Sequence, residues 1–337
     1  MSGATTREEL CSAIQVSARL VGAAFSRDIV WPILTAYGNL LADGLIVFSA
    51  QTGERYAGEL EYTIQVSAGT GDPYSHALSN GFVAETGHPV GTLLSDIQAR
   101  LSVSEYAIDC GVAAGFKKVY ARFRDLQRVS KLADIPSMPR ALAENAGFFV
   151  RYGLVDAALI GIDYQRDTMN VYFQLPAATA GCLEPKTILS MLDEMGRPEP
   201  DERMLEYACK AYRIYTTLSW DSFRIQRISF APLPRRGLDL SALPARLEPG
   251  IEQFMSGAPQ AYAGERIGTA AVKWSPTEEC LDLGSYYQIS PSQLKVFDGD
   301  PQRTGATPRR LVASPLPGKD TARDDDIPAR GARRPRH

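Results

Sequence analysis

The sequence predicts an α+β fold: five helix-plus-hairpin repeats, whose ten mostly antiparallel strands close into a barrel inside an outer ring of helices. Three observations lead there. Five short-linked pairs of strand-like segments are separated by helical ones. The second strands of these pairs recur roughly every 55 residues, the mark of a repeated supersecondary unit. The strands alternate apolar and polar side chains, so each has one face to bury and one that is polar.

The elements follow in order. Thr6-Arg7-Glu8-Glu9 is a capping box, after which Leu10, Ile14, Ala18 and Val21 recur at helical spacing. The first strand pair is predicted over 45–49 and 59–66, across the turn Gln51-Thr52-Gly53-Glu54. A helix with Leu93, Leu94, Ile97 and Leu101 on one side leads to the second pair, near 106–109 and 116–123. A helix over 139–152 precedes the third pair, 158–163 and 169–175, joined through Gln165-Arg166-Asp167. Helices over 187–195 and 202–210 precede the fourth pair, 211–218 and 224–231. A short helix at 251–255 precedes the fifth, 269–274 and 281–289. Short links make each pair antiparallel, and closure removes the sheet's edges. Residues 1–299 are read as a single barrel domain. Residues 300–337, rich in Pro and Arg and without periodicity, are read as a disordered tail.

Composition excludes several classes of function. The 337 residues carry 36 basic and 39 acidic side chains, a net charge of −3. Residues 301–337 hold nine of the basic and four of the acidic groups, which leaves −8 on residues 1–300 and argues against nucleic acid as a partner. No apolar run of about 18 residues occurs, and the N-terminus lacks a signal-peptide pattern. Five scattered cysteines read as free thiols in a reducing compartment, so a cytoplasmic protein is expected. Three histidines, one of them the terminal His337, leave little for histidine chemistry. Neither common glycine-rich phosphate cradle is present. Asp324-Asp325-Asp326 lies in the tail and reads as a solvated charge run.

The polar strand faces hold the chemistry. Leu60, Tyr62, Ile64 and Val66 oppose Glu59, Glu61, Thr63 and Gln65, and the other strands follow suit. If helices cover the apolar face, the polar face lines a lumen, and a ten-stranded barrel is too wide for side chains alone to fill. That lumen would hold the cations Lys118, Arg122, Arg166, Arg213, Arg227 and Lys273, together with Tyr120, Tyr172, Tyr215 and Tyr286. Glu59, Glu61 and Asp282 are too few to neutralise six cations, so a multiply charged anion is the expected ligand. The plainer reading of the same alternation is an open sheet whose polar face is simply wet.

Several stretches carry a family resemblance. They include Gly71-Asp72-Pro73-Tyr74, Thr86-Gly87-His88-Pro89-Val90, Gly115-Phe116-Lys117-Lys118-Val119-Tyr120 and Ile135-Pro136-Ser137-Met138-Pro139. Asn170-Val171-Tyr172-Phe173, Tyr215-Thr216-Thr217-Leu218 and Leu283-Gly284-Ser285-Tyr286-Tyr287 follow in the same order. Together they span about residues 7 to 298, and over that span the chain resembles the bacterial ABBA-type aromatic prenyltransferases of the naphterpin/clorobiocin branch. The resemblance implies a closed barrel of five αββα-type repeats with its active site in the lumen. It also implies a reaction of secondary metabolism, in which an allylic isoprenyl diphosphate (C5 to C15) alkylates an electron-rich aromatic acceptor such as a phenol or dihydroxynaphthalene.

The same resemblance assigns residues. Lys118, Arg166, Asn170, Tyr215 and Arg227 match diphosphate-binding positions, and Tyr120, Tyr172 and Tyr215 match catalytic aromatics that flank the prenyl chain. Thr63, Arg213, Ser229 and Tyr286 are assigned to the aromatic-substrate pocket. Asp282 stands where relatives place a lysine, and Lys273 is positioned to replace it. Arg213 stands where relatives have a small residue. Either it reshapes the acceptor pocket or it pairs with Asp282 or a glutamate. Glu61 stands where metal-using relatives bind Mg²⁺ through Asp, so no required cofactor is expected, with Mg²⁺ as the alternative. The expected partners are a prenyl diphosphate and a small aromatic acceptor, with no nucleic acid or membrane, and the expected state is a monomer. A prenyl diphosphate hydrolase or cyclase, or a non-catalytic carrier of anionic lipophilic metabolites, are the rival functions.

Overall fold

The computed structural model describes residues 5–38, 44–67, 69 and 71–290. Ten antiparallel strands form a closed barrel. They are β1 (Ile46–Gln51), β2 (Glu61–Ser67), β3 (Val103–Gly111), β4 (Gly115–Arg128), β5 (Asp156–Asp163), β6 (Thr168–Gln174), β7 (Arg213–Ser219), β8 (Arg227–Ala231) and, after the two-residue β9 (Arg235–Arg236), β10 (Ile267–Trp274) and β11 (Glu279–Gln288). Strands β1 to β8 pair in sequence, β8 pairs with β10, and β10 with β11. Pairing of β11 with β1, from Val47↔Tyr286 to Gln51↔Asp282, seals the cylinder. The segment β9 pairs with Ile267 and Gly268 at the start of β10, on the side that β8 occupies further along.

Closure decides which face is which. Tyr62, Ile64, Val119, Ala121, Val171, Phe173, Ile228, Phe230 and Trp274 point outward and are almost completely buried, so the hydrophobic core is the annulus between sheet and helices. The polar alternates point inward. An open sheet with a wet face is therefore excluded.

The helices are α1 (Arg7–Val21), α2 (Arg27–Ala36), α3 (Pro73–Ser79), α4 (Val90–Arg100), α5 (Val129–Ala133), α6 (Ala141–Glu144), α7 (Ala146–Arg151), α8 (Pro185–Glu194), α9 (Glu202–Ala208) and α10 (Pro249–Gly257). Helix α1 starts on the predicted capping box, with the Thr6 side chain accepting from Glu9 N–H, and stops at Gly22 in the left-handed region (φ 73°). It packs against α2 and α10. Helix α2 is absent from the sequence prediction because Pro32 lies in its middle and reads as a breaker. The helix expected over 139–152 is two short ones. They part at Asn145, whose Nδ2 donates to both the Ala141 and Phe223 carbonyl oxygens and ties the break to a neighbouring loop.

Asp72 of the Gly71-Asp72-Pro73-Tyr74 motif caps α3, with Pro73 at the first helical position. All five cysteines are free thiols. Among the described residues no helix is long and apolar enough to cross a membrane. The segment read as a tail, residues 300–337, lies outside the described residues.

Candidate active site

The lumen contains a polar cavity of about 70 Å³ towards one end of the barrel. Its ionic groups come from strand positions that alternation turns inward, except for Arg166 on the β5–β6 turn and Lys117. Register along β3 and β4 slips between Asp109↔Lys118 and Cys110↔Phe116, so Lys117 is the extra residue of a β-bulge. The bulge lets two consecutive lysines face the same cavity. Lys117 Nζ contacts the Glu61 carboxylate. Lys118 Nζ lies 4.0 Å from Asp109 and 3.9 Å from Asp163. Across the lumen, Lys273 Nζ is 3.0 Å from Asp282.

Arg166 and Arg227 complete the cationic set without an ion pair of their own among the described residues. Arg166 is exposed on the β5–β6 turn. Its N–H donates to Asp163 Oδ1 at 3.0 Å, so one carboxylate both shapes the turn and faces Lys118. The cavity thus holds five cations and four carboxylates, a surplus of one positive charge. The expected balance of six cations against three acids is corrected accordingly: Arg122 and Arg213 lie outside this cavity and Lys117 joins it, while Asp109 and Asp163 join the acids and the exposed Glu59 leaves them. Lys273, expected as a replacement cation for the diphosphate, is engaged by the very aspartate whose charge it was to offset.

Crowded charge perturbs these groups in opposite directions. Burial alone would push the Glu61 carboxyl up, but Lys117, Lys118 and Lys273 outweigh it and hold the group at about 2. Burial, followed by the charge of Glu61, pushes Asp109 up to about 7 despite the nearby lysines and a hydrogen bond from Thr63 Oγ1 at 3.0 Å. Burial would lower Lys118, yet Asp109, Tyr172, Asp163 and Glu61 together raise it, so it stays charged. When Asp109 is protonated, the surplus positive charge becomes two.

Beyond the ionic groups lies a belt of phenols. The Tyr172 and Tyr215 rings stack at 4.6 Å, and Tyr120 meets Tyr172 edge-on at 6.0 Å. Lys118 Nζ sits 5.5 Å from the centre of the Tyr120 ring. Asn170 Nδ2 donates to the Tyr172 hydroxyl at 3.4 Å, and the Tyr215 hydroxyl donates to Asp282 at 3.3 Å and lies beside Ser229. Burial pushes the Tyr120 and Tyr215 hydroxyls far above the ordinary phenol range, so both remain neutral donors. Gly161 makes room for this belt: a Cβ there would lie 2.9 Å from the Tyr120 ring.

Past the belt, away from the ionic cavity, stand Arg122, Arg213 and Tyr286. Arg122 Nε is 3.3 Å from Glu105. Arg213 forms no ion pair among the described residues; the expected alternative, a pair with Asp282 or a glutamate, does not form. Burial, followed by repulsion from Arg213, lowers Arg122 to about 10.

The comparisons with known proteins agree with this geometry. Residues 5–294 match the family described as aromatic prenyltransferase Orf2. This chain belongs to that family. It is 40% identical to the 5,10-dihydrophenazine-1-carboxylate 9-dimethylallyltransferase of Streptomyces anulatus, covering 89% of this chain and 99% of that protein. It is also 40% identical to the flaviolin linalyltransferase of Streptomyces virginiae, over 86% of this chain and 94% of the relative. The furaquinocin biosynthesis prenyltransferase of Streptomyces sp. (strain KO-3988) is again 40% identical, over 82% and 89%. A solved 6-dimethylallyl tryptophan synthase, 10% identical, shares the fold with a TM-score of 0.50 over 86% of this chain and 99% of that one. The protein is thus an aromatic prenyltransferase, a transferase of the bacterial ABBA type acting on aromatic acceptors in secondary metabolism.

For an aromatic prenyltransferase, the lumen brings together nearly all of the residues singled out from sequence. Thr63, Lys118, Tyr120, Arg166, Asn170, Tyr172, Tyr215, Arg227 and Lys273 all line the one cavity. Ser229 is buried beside Tyr215, while Arg213 and Tyr286 lie towards the other end. Sequence reasoning missed Lys117, Asp109, Asp163, Glu105 and Gly161. The phase of Tyr106, Ile108 and Cys110 against Glu105, Ala107 and Asp109 could have found two of them. Nothing in the sequence announces the bulge at Lys117.

Glu61 fails the test for a Mg²⁺ ligand. Its carboxylate is occupied by Lys117 and flanked by Lys118 and Lys273, a field that repels a dication. No group of three or more His, Cys, Asp or Glu placed to hold a metal occurs among the described residues.

Proposed function

We propose that this enzyme transfers an allylic isoprenyl group from its diphosphate to an electron-rich aromatic ring, with the diphosphate at the ionic end of the lumen and the transfer taking place along the tyrosine belt. The supporting observation is the junction of the two: a cavity with surplus positive charge opens directly onto stacked phenol rings. In this reading Lys118, Arg166, Asn170, Tyr215, Arg227 and Lys273 bind the diphosphate. As the C1–O bond breaks, both of its electrons go to the diphosphate, and preplaced cations and the Tyr215 hydroxyl stabilise the growing charge. The allyl cation meets the faces of Tyr120, Tyr172 and Tyr215, which also keep water from it. A carbon of the acceptor ring, held near Thr63, Ser229, Arg213 and Tyr286, attacks C1, and proximity supplies much of the rate. The ring proton leaves to the released diphosphate, restoring aromaticity.

A free volume of about 70 Å³ is well below the roughly 300 Å³ at which ligand pockets begin. Donor binding in this reading is therefore an exchange, in which phosphate oxygens take lysines from the carboxylates that hold them and the tyrosines swing aside. Protein treated with labelled donors of increasing length and a panel of phenols tests the assignment. Label should move to a ring; recovery only as free alcohol would mark a hydrolase, and no release at all a carrier.

The pairing of Glu61 with Lys117 supports metal-independent turnover. Activity should be unchanged in EDTA, and activity recovered only on adding Mg²⁺ would overturn that. The same reading takes residues 1–299 as one catalytic domain, working as a cytoplasmic monomer, since a closed sheet offers no edge for a partner. Sedimentation, and the activity of a chain cut after residue 299, test those two points.

A further inference from the structure

Charge returns to the lumen beyond the tyrosine belt, and there it is not balanced. Arg122 has Glu105 for a partner, whereas Arg213 has no carboxylate partner among the described residues. Its Nε–H is shut off from solvent and donates to no acceptor among the described residues. The groups that act on it electrostatically are Tyr212, Tyr172, Tyr286 and the guanidinium of Arg122, none of them an anion. Arginine does not escape such a setting by losing its proton, so the surroundings must bring a counter-charge. The two carboxylates that might have served are taken, Glu105 by Arg122 and Asp282 by Lys273 and Tyr215.

The position is informative. On β7, Arg213 is followed on the same face by Tyr215 and Thr217, and both of those line the ionic cavity. Two residues of strand are about 7 Å, so Arg213 stands one ring system away from the stacked tyrosines. We infer that Arg213 anchors an anionic oxygen substituent of the aromatic acceptor, a carboxylate or an ionised hydroxyl, and so selects acceptors that carry one. This rests on the prenyl-transfer reading of the same lumen and names its acceptor class. The planar guanidinium fork takes a carboxylate side-on through two parallel hydrogen bonds, which fixes the ring's orientation as well as its affinity. With the anion held at Arg213, the opposite edge of the ring projects back across Tyr172 and Tyr215 towards the donor. An allyl cation forming there then faces a neutralised guanidinium.

The test uses the full chain, the donor it turns over best, and matched acceptors: a dihydroxynaphthoic acid, its methyl ester, and an acidic hydroxynaphthoquinone. Wild type should prefer the acid over the ester in kcat/KM by roughly tenfold to a hundredfold, chiefly through KM, the range a charge-assisted hydrogen bond supplies. Arg213→Gln should abolish the preference, costing the acid roughly tenfold to a hundredfold more in kcat/KM than the ester, and Arg213→Lys should restore part of it. Turnover of the hydroxynaphthoquinone with the same dependence on Arg213 would extend the anchor to ionised hydroxyls; independence from Arg213 would restrict it to carboxylates. Inorganic pyrophosphate should still stabilise both variants, showing that they fold and keep the donor end. Equal use of acid and ester by wild type, or an equal loss of both in Arg213→Gln, overturns the inference while prenyl transfer stands. Failure of wild type to prenylate any acceptor sinks both.

Discussion

Asp109 and Gly161 show how much a single lumen residue decides. An ordinary aspartate ionises near 3.9, whereas Asp109 holds its proton up to about 7 because burial and then Glu61 oppose its charge. Between those values the folded chain binds a proton that the unfolded chain has released. The stability contributed by this group is therefore full below about pH 4 and lost as pH rises through about 7. Glu61 has the opposite sign: held at about 2, it contributes stability above its ordinary range and loses it as pH falls towards 2. Asp109→Asn should flatten the decline in urea-unfolding free energy between pH 4 and 7 and leave the acid limb in place. An unchanged slope in the variant would assign the titration to another group. Gly161 acts through space, not charge. Its Cβ would sit 2.9 Å from Tyr120 and 3.4 Å from the Lys118 side chain, so Gly161→Ala should cost about 1–3 kcal/mol of stability. It should also lower kcat, because it displaces the ring and the cation together. A variant with wild-type kcat and unfolding midpoint would show that the belt yields without cost.

At the scale of elements, the β4 bulge is the device that doubles the lysines of the ionic end. Lys117 is well buried, and the Glu61 side chain is only 17% exposed. Removing one member of such a pair leaves the other charge uncompensated, at a cost of about 3–5 kcal/mol when burial is complete. Lys117→Met should thus destabilise the protein by about 3 kcal/mol in equilibrium unfolding. Lys117→Met combined with Glu61→Gln should recover most of that loss; additive losses in the cycle would show that the pair does not interact. The bulge also explains where sequence reading reached and where it stopped. Strict alternation, as in Glu61 and Thr63 against Tyr62 and Ile64, carries the strands and their facing, because a half-buried strand has a period of two. A bulge breaks that period without changing composition, so nothing in the alternation marks Lys117 as a lumen residue. Helix α2 was hidden for a related reason. Pro32 is forbidding locally, but the packed face of Val30, Ile33 and Leu34 overrides it. Contacts such as Tyr215 with Asp282, between β7 and β11, depend on which strands face each other after closure, and that is a property of the whole sheet.

For the whole molecule, closure turns a polar sheet face into an ion-exchange chamber. A closed cylinder excludes bulk counter-ions from its interior, so the barrel meets its charge needs internally: lysines on β4 and β10 against carboxylates on β2, β3, β5 and β11. At the ionic end the match is incomplete by one positive charge, and by two when Asp109 keeps its proton. Such a chamber should take up inorganic pyrophosphate without any organic group attached and without Mg²⁺. Binding to the folded state alone stabilises it by about 2.7 kcal/mol at a hundred times the dissociation constant. For a chain of this size that corresponds to a rise in Tm of about 5 °C or more, with roughly 2–4 °C expected per kcal/mol. The rise should persist in EDTA, grow as pH falls from 8 to 6 and Asp109 takes up its proton, and shrink in Lys118→Met. A rise that appears only with Mg²⁺ present would place the counter-charge on a metal and not on the lysines. No rise at any concentration would mean that the internal carboxylates hold their lysines too tightly to be displaced, and the exchange picture of donor binding would fall.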